Sequence, residues 1–141
     1  MATIGERGGE DRLAVRIITP ERIAFEGDAD AVTATAYDGE FGVLPGHAPM
    51  MVALGIGEFR LRQGETWEWF AVGEGFLHVV DDVVTVLTPF AESAREIDVD
   101  EARRFEITAA ENPLLQGTIL GEEQRKRLGR LRERVARRAG E

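Results

Sequence analysis

Over the first two thirds of the chain, apolar residues recur at every second position in short runs closed by turn residues. Leu13, Val15 and Ile17 alternate with Ala14 and Arg16 before Thr19-Pro20, the pattern of a half-buried strand. Ile23 to Phe25 opens the next run, and Ala31 to Ala36 sets Val32 against Thr33 and Thr35. Met51 to Leu54 is apolar and Gly55-Ile56-Gly57 breaks it. Phe59 and Leu61 then alternate with Glu58, Arg60 and Arg62, which places those charges on a wet face. Gln63-Gly64 predicts a hairpin turn into Thr66 to Val72, and Gly73-Glu74-Gly75 leads into Phe76 to Val80. Asp81-Asp82 predicts a type I′ corner into Val83 to Leu87. About eight to ten such strands, with no helical pattern between them, predict an antiparallel β-sandwich.

The period changes after Phe90. Ala91 to Glu96 has the composition of a short polar linker. Asp98 is then a good N-cap with Glu101 three residues on and Ile97 outside, a capping box with a staple. Val99, Ala102, Phe105 and Ala109 recur at three- and four-residue steps, and Asn112-Pro113 closes that helix. An apolar connector from Pro113 to Leu120 precedes a second helix from about Gly121 to Ala139. Its stripe of Leu128, Leu131 and Val135 is narrow and surrounded by arginines. The fold class expected is α+β: a lead-in over residues 1–12, a β-sandwich over 13–92, and a helical hairpin over 93–141. Three buried aliphatic side chains contribute on the order of 5–9 kcal/mol gross. Ordering a hairpin costs much more than that, so its docking is expected to be marginal.

One stretch interrupts the alternation. Asp38-Gly39-Glu40-Phe41-Gly42-Val43-Leu44-Pro45-Gly46-His47-Ala48-Pro49-Met50 packs three glycines and two prolines into thirteen residues. That density specifies one bent path, and His47 is presented at a corner of it. Taken alone, it reads as a structural double turn joining two strands. Trp67 and Trp69 share a face of their strand, as core residues or as a partner surface rimmed by Glu65 and Glu68. The alternation makes His78 an ordinary surface or cross-strand residue.

Charge sharpens the division. The chain carries −9 overall, but residues 1–124 hold nine basic and twenty-four acidic residues, whereas 125–141 hold eight basic and two acidic. A basic tail behind an acidic body implies an anionic partner, either its own body or another molecule. No cysteine is present and only two histidines, His47 and His78, so a thiolate or His-rich metal site is not expected. Ser93 is the only serine and Lys126 the only lysine, and neither sits in a nucleophile elbow or a phosphate loop. No apolar run approaches the ~20 residues of a membrane span. Nor does the N-terminal stretch have the apolar segment of a signal peptide. The residues therefore predict a non-catalytic part, with no catalytic or metal-binding residue.

The Asp38 to Met50 string resembles the signature loop of the epsilon subunit of the bacterial F-type ATP synthase, called delta in mitochondria. Leu13 to Gly27, with its Thr19-Pro20-Glu21 turn and Phe25-Glu26-Gly27, resembles the opening of the same family. The resemblance covers roughly Leu13 to Ala110. It implies a rotor-stalk subunit at the cytoplasmic face of the inner membrane, peripheral and not inserted. Such a subunit docks on the gamma subunit and the c-ring and couples ion-driven rotation to ATP synthesis.

By position in the loop, Glu40 matches the family's acidic residue near the c-ring, and His47 its histidine at the gamma contact. Gly42, Pro45 and Gly46 complete the expected interface. The resemblance also implies C-terminal helices that extend to the catalytic alpha and beta subunits and inhibit hydrolysis, here through Arg130, Arg134 and Arg137. Some members bind regulatory ATP through Ile or Leu, Asp, two variable residues, Arg and Ala. Val99 to Arg104 matches this at Asp100 and Arg103 and departs from it at Val99 and Arg104. The other reading of that segment is a capped helix with an exposed ion pair. The alternative function from a different class is a stand-alone β-sandwich binding module whose arginine helix contacts nucleic acid or another anion. The strongly acidic body argues against nucleic acid, since it would repel the same phosphate backbone.

Overall fold

The computed structural model describes residues 11–98, 100 and 122–138. Ten strands come first: β1 Leu13–Ile18, β2 Ile23–Ala29, β3 Ala31–Ala36, β4 Gly39–Val43, β5 Met50–Leu54, β6 Gly57–Gln63, β7 Thr66–Val72, β8 Gly75–Val80, β9 Val83–Leu87 and β10 Ala91–Ser93. One helix follows among the described residues, α1 Glu122–Ala136. The first expected helix, from Val99 to Ala109, and the connector after it lie outside the described residues apart from Asp100, as do the first ten residues of the expected lead-in.

The strands run in the order β10-β7-β6-β3-β5-β8-β9-β1-β2, with β4 paired to β3 alone. Ala31 to Thr33 of β3 pair with β6, and Ala36 pairs with β5. β4 takes the opposite edge. β5 and β6 therefore follow one another along the same edge of β3, and the break at Gly55-Ile56 lets the chain turn from one layer into the other. This single sheet folded over on itself is the expected sandwich, with one departure. β1 runs parallel to β9, so the sheet is mixed rather than wholly antiparallel.

Inward positions alternate as expected. Leu13, Val15, Ile17, Val32, Phe59, Leu61, Phe70, Leu77, Val79, Val84 and Val86 form the main core, with Phe70 meeting Phe25 and Phe59 edge to face. The Asp81-Asp82 corner has positive φ at both residues, as a type I′ turn requires.

Three local expectations change. Ala91 to Glu96 is not a polar linker, because β10 pairs with β7 and Ala91, Ala94 and Ile97 are buried. Three residues are too short for alternation to register as a strand. The second correction concerns Glu58 and Arg60, which do not face open water. Their side of β6 and β7 lies under α1, whose Leu128, Leu131 and Val135 pack on Ile56, Ala71, Ala94 and Ile97. Thirdly, Trp67 and Trp69 belong to neither the core nor a bare surface. Both are half-buried on the outer side, with the Arg60 guanidinium 5.5 and 5.1 Å from their ring centres.

Candidate protein interface

The glycine- and proline-rich stretch is more than a double turn. Its first half is strand β4, which pairs along β3 from Val32↔Val43 to Ala36↔Gly39. Val43 reaches the core and Phe41 packs against it. The second half is a tight turn in which the His47 amide donates to the Leu44 carbonyl at 3.1 Å. Pro45 then sits at the second position and Gly46, with φ of +87°, at the third, the requirement of a type II turn. The Gly46 amide also donates to Asp82 Oδ1 at 2.7 Å, which pins the turn to the β8–β9 corner. His47 Nδ1 donates to the Ala48 carbonyl at 2.7 Å, so the proton is on Nδ1. Gly42 is exposed, Pro45 and His47 are half-buried, and Leu44 is exposed beside them. Glu40 lies apart from this turn, toward α1, 3.8 Å from Arg60.

The pinned turn stands at one end of an outward sheet face made by β5, β8, β9, β1 and β2. Residues directly opposite in these strands share a face. One outward row is Met51, His78, Thr85, Arg16 and Glu26. The next is Ala53, Phe76, Leu87, Ile18 and Ile23. Phe76 and Leu87 are 54% and 52% exposed, and Met51 and Ile23 are exposed too. Five strands at about 4.8 Å spacing make this apolar row roughly 19 Å wide. Ile18, between Leu87 and Ile23, is half-buried, and an outward row that is apolar throughout is the kind of feature that marks an interaction surface. At its far end Tyr37 donates to Glu74 at 2.8 Å. That bond to a carboxylate, with some loss of solvation, raises the Tyr37 pKa above its ordinary value.

The opposite outer side carries the helix. Arg132 meets Glu92 at 3.0 Å with both side chains largely shielded, Arg134 Nε meets Glu58 at 2.6 Å, and Arg138 lies 4.8 Å over the Trp69 ring. Arg127, Arg130 and Arg134 line a cleft of about 450 Å3 facing Glu40 and Glu58. Arg137 pairs instead with Glu133 of its own helix at 2.8 Å. Thus Arg130 and Arg134 come together and Arg137 does not join them. Asp100 is exposed, whereas Arg103 lies outside the described residues.

Residues 12–94 match the model of the ATP synthase delta/epsilon chain β-sandwich domain. The chain belongs to the ATP synthase delta/epsilon chain family. An ATP synthase epsilon chain from Rubrobacter xylanophilus is 40% identical over 131 residues, 92% of this chain and 87% of that relative. Another, from Anoxybacillus flavithermus, is 46% identical over 91 residues, covering 64% and 68%. Among solved structures, a chain of the Euglena gracilis mitochondrial ATP synthase OSCP/F1/c-ring assembly superposes with a TM-score of 0.61. It is 21% identical and covers 93% of this chain and 86% of that one. A chain of the Tetrahymena thermophila central stalk/c-ring gives 0.57 at 14% identity, covering 86% and 94%. These two similarities show a shared fold.

Among the described residues no group of three or more His, Cys, Asp or Glu could hold a metal, and no helix is long and apolar enough to cross a membrane. The outward apolar row escaped the sequence reading. Its members alternate with core residues, and strand order alone decides which outward positions become neighbours. The exposed Phe76 and Leu87 were the available signal, since each is a large apolar residue in the polar phase of its strand.

Proposed function

We propose that this chain is a central-stalk subunit of an F-type ATP synthase. The sandwich docks on the gamma subunit through the outward face of β5, β8, β9, β1 and β2 and through the turn at Pro45 to His47, while Glu40 faces the c-ring. It sits at the cytoplasmic face of the inner membrane as a peripheral component. It makes and breaks no bonds itself and transmits rotation between ring and catalytic head. The observation that carries this reading is the outward sheet face that bears an apolar row at one end and a pinned, preorganised turn at the other, within this family's fold. Preorganisation lowers the entropy lost on docking. The nucleic-acid alternative has weaker support, because Arg132, Arg134 and Arg138 are engaged by Glu92, Glu58 and Trp69 of the sandwich. A tagged copy expressed in its native host should co-purify with gamma and the catalytic subunits. Recovery of the tagged chain without them would overturn the proposal.

The C-terminal helices in this reading also restrain hydrolysis by reaching the acidic surfaces of the alpha and beta subunits. Support comes from the modest docking of α1, held among the described residues by Leu128, Leu131, Val135 and Ala136 and a few ion pairs. Deleting residues after Gly121, or reversing Arg130, Arg134 and Arg137 to Glu, should raise ATP hydrolysis by the assembled complex without preventing assembly. Rates unchanged by both alterations would leave only the coupling role.

A further inference from the structure

Arg16 is the one arginine or lysine in the two outward rows, and it has no acceptor among the described residues. Its Nε is buried without a hydrogen-bond partner among the described residues. It lies opposite Glu26 in register, yet no ion pair forms between them; Glu26 is exposed while Arg16 is half-buried. Its neighbours along β1 on the same face are Ala14 and Ile18, and its neighbour across β9 is Thr85, none of them an anion; the diagonal Asp28 of β2 is turned to Arg12 at 3.9 Å. A guanidinium whose Nε is shielded from water and bonded to no acceptor, with the nearest carboxylates held out in solvent, is unfavourable in the isolated chain.

We propose that the surface docking on this face presents a carboxylate to Arg16, within an apolar patch that covers Phe76, Leu87, Ile18 and Ile23. The inference rests on the stalk reading above and names the chemistry of the partner's contact. An apolar partner lacking an acid would strip the remaining water from Arg16 and leave a buried, unpaired charge, which is strongly opposed. A partner cation would add repulsion. A carboxylate fits because the planar guanidinium fork can grip both of its oxygens, and the dry surround strengthens those bonds. The apolar row thus supplies area, and Arg16 supplies register and partner selection.

The test titrates purified gamma subunit of the same complex into the full-length chain. Arg16→Met should weaken binding by about 30-fold or more, the loss that follows truncation of one member of a buried interface charge pair. Arg16→Glu should weaken it further, and an acid-to-Lys change in gamma should restore binding to Arg16→Glu alone. Arg16→Lys keeps charge and stem but not the fork, and should fall between wild type and Arg16→Met. The melting temperature of Arg16→Met should stay level or rise, since an orphaned donor is removed, whereas Arg16→Glu, set opposite Glu26, should melt lower and is compared with Arg16→Met at a temperature where both are folded. Binding of Arg16→Met within twofold of wild type, together with loss of binding in Phe76→Ser, would overturn the carboxylate while keeping the face. Wild-type affinity in both variants would overturn the face as well. Failure of the wild-type chain to bind gamma would defeat the stalk reading, and this inference with it.

Discussion

Leu131→Ala tests whether the helix and the sandwich are separate cooperative units. Leu131 is 2% exposed and packs in a cluster of Ile56, Ala71, Ala94, Ile97, Leu128 and Val135. None of these residues belongs to the main core around Phe59, Phe70 and Leu77. Leu128, Leu131 and Val135 together contribute on the order of 5–9 kcal/mol of apolar burial to docking. The Arg134–Glu58 pair, exposed on its arginine side only, adds about 1 kcal/mol, and the shielded Arg132–Glu92 pair roughly offsets its own desolvation. Truncating a buried Leu to Ala costs about 2–5 kcal/mol. A loss of ~3 kcal/mol, about half the apolar term, raises the undocked population roughly 100-fold. Amide hydrogen exchange should therefore accelerate by about that factor in α1, with little change in the amides of β1, β8 and β9. Trp69, half-buried at the edge of the helix cluster, should report the release as a red-shifted fluorescence. Phe59→Ala is the contrast and should speed exchange in sheet and helix alike. Equal acceleration of helix and sheet in Leu131→Ala would refute the reasoning, because the two would then open as one unit.

Asp30 accepts from the Gly64 amide at 2.6 Å, and that bond, opposed by partial desolvation and supported by Arg12 and Arg62, holds its pKa below the ordinary 3.8. Its contribution is present above that ordinary value and is lost as pH falls through the lower folded-state value. Asp30→Asn should thus lower the melting temperature at pH 7 and flatten the acid limb of a Tm–pH profile. A chain ending at residue 90 loses β10 and the Ala94 amide bond to the Trp69 carbonyl at 2.7 Å. It should melt clearly below a chain ending at residue 98, and equal melting temperatures would show that β10 is dispensable. Gly46→Ala places a Cβ at positive φ with open space around it, a strain of about 1–2 kcal/mol. Gly46→Val should be worse, and both should weaken assembly with gamma more than thermal shift alone explains.

The order of strands along the chain was legible because period-two alternation and turn chemistry are local. Ala31–Ala36, Thr66–Val72 and Val83–Leu87 have the limits that their alternation predicts, and Asp81-Asp82 forms the expected corner. The Asp38 to Met50 stretch declared itself through its glycines and prolines, whose backbone preferences do not depend on distant partners. Leu128, Leu131 and Val135 were also visible as a stripe, since helical spacing places them on one side.

What packs against what was not local. Ala91 to Ser93 looks polar and becomes a strand only because β7 offers a free edge. Glu58 and Arg60 alternate like solvated charges, yet the layer turn at Gly55-Ile56 sets them beneath α1, where Arg134 pairs with Glu58 while Arg60 pairs with Glu40. The parallel pairing of β1 with β9 brings Arg16, Ile18 and Leu87 from distant segments onto one face. Alternation tells a residue which side of its own strand it occupies. Only the pairing of strands decides which outward residues become a continuous surface, and whether another element covers it.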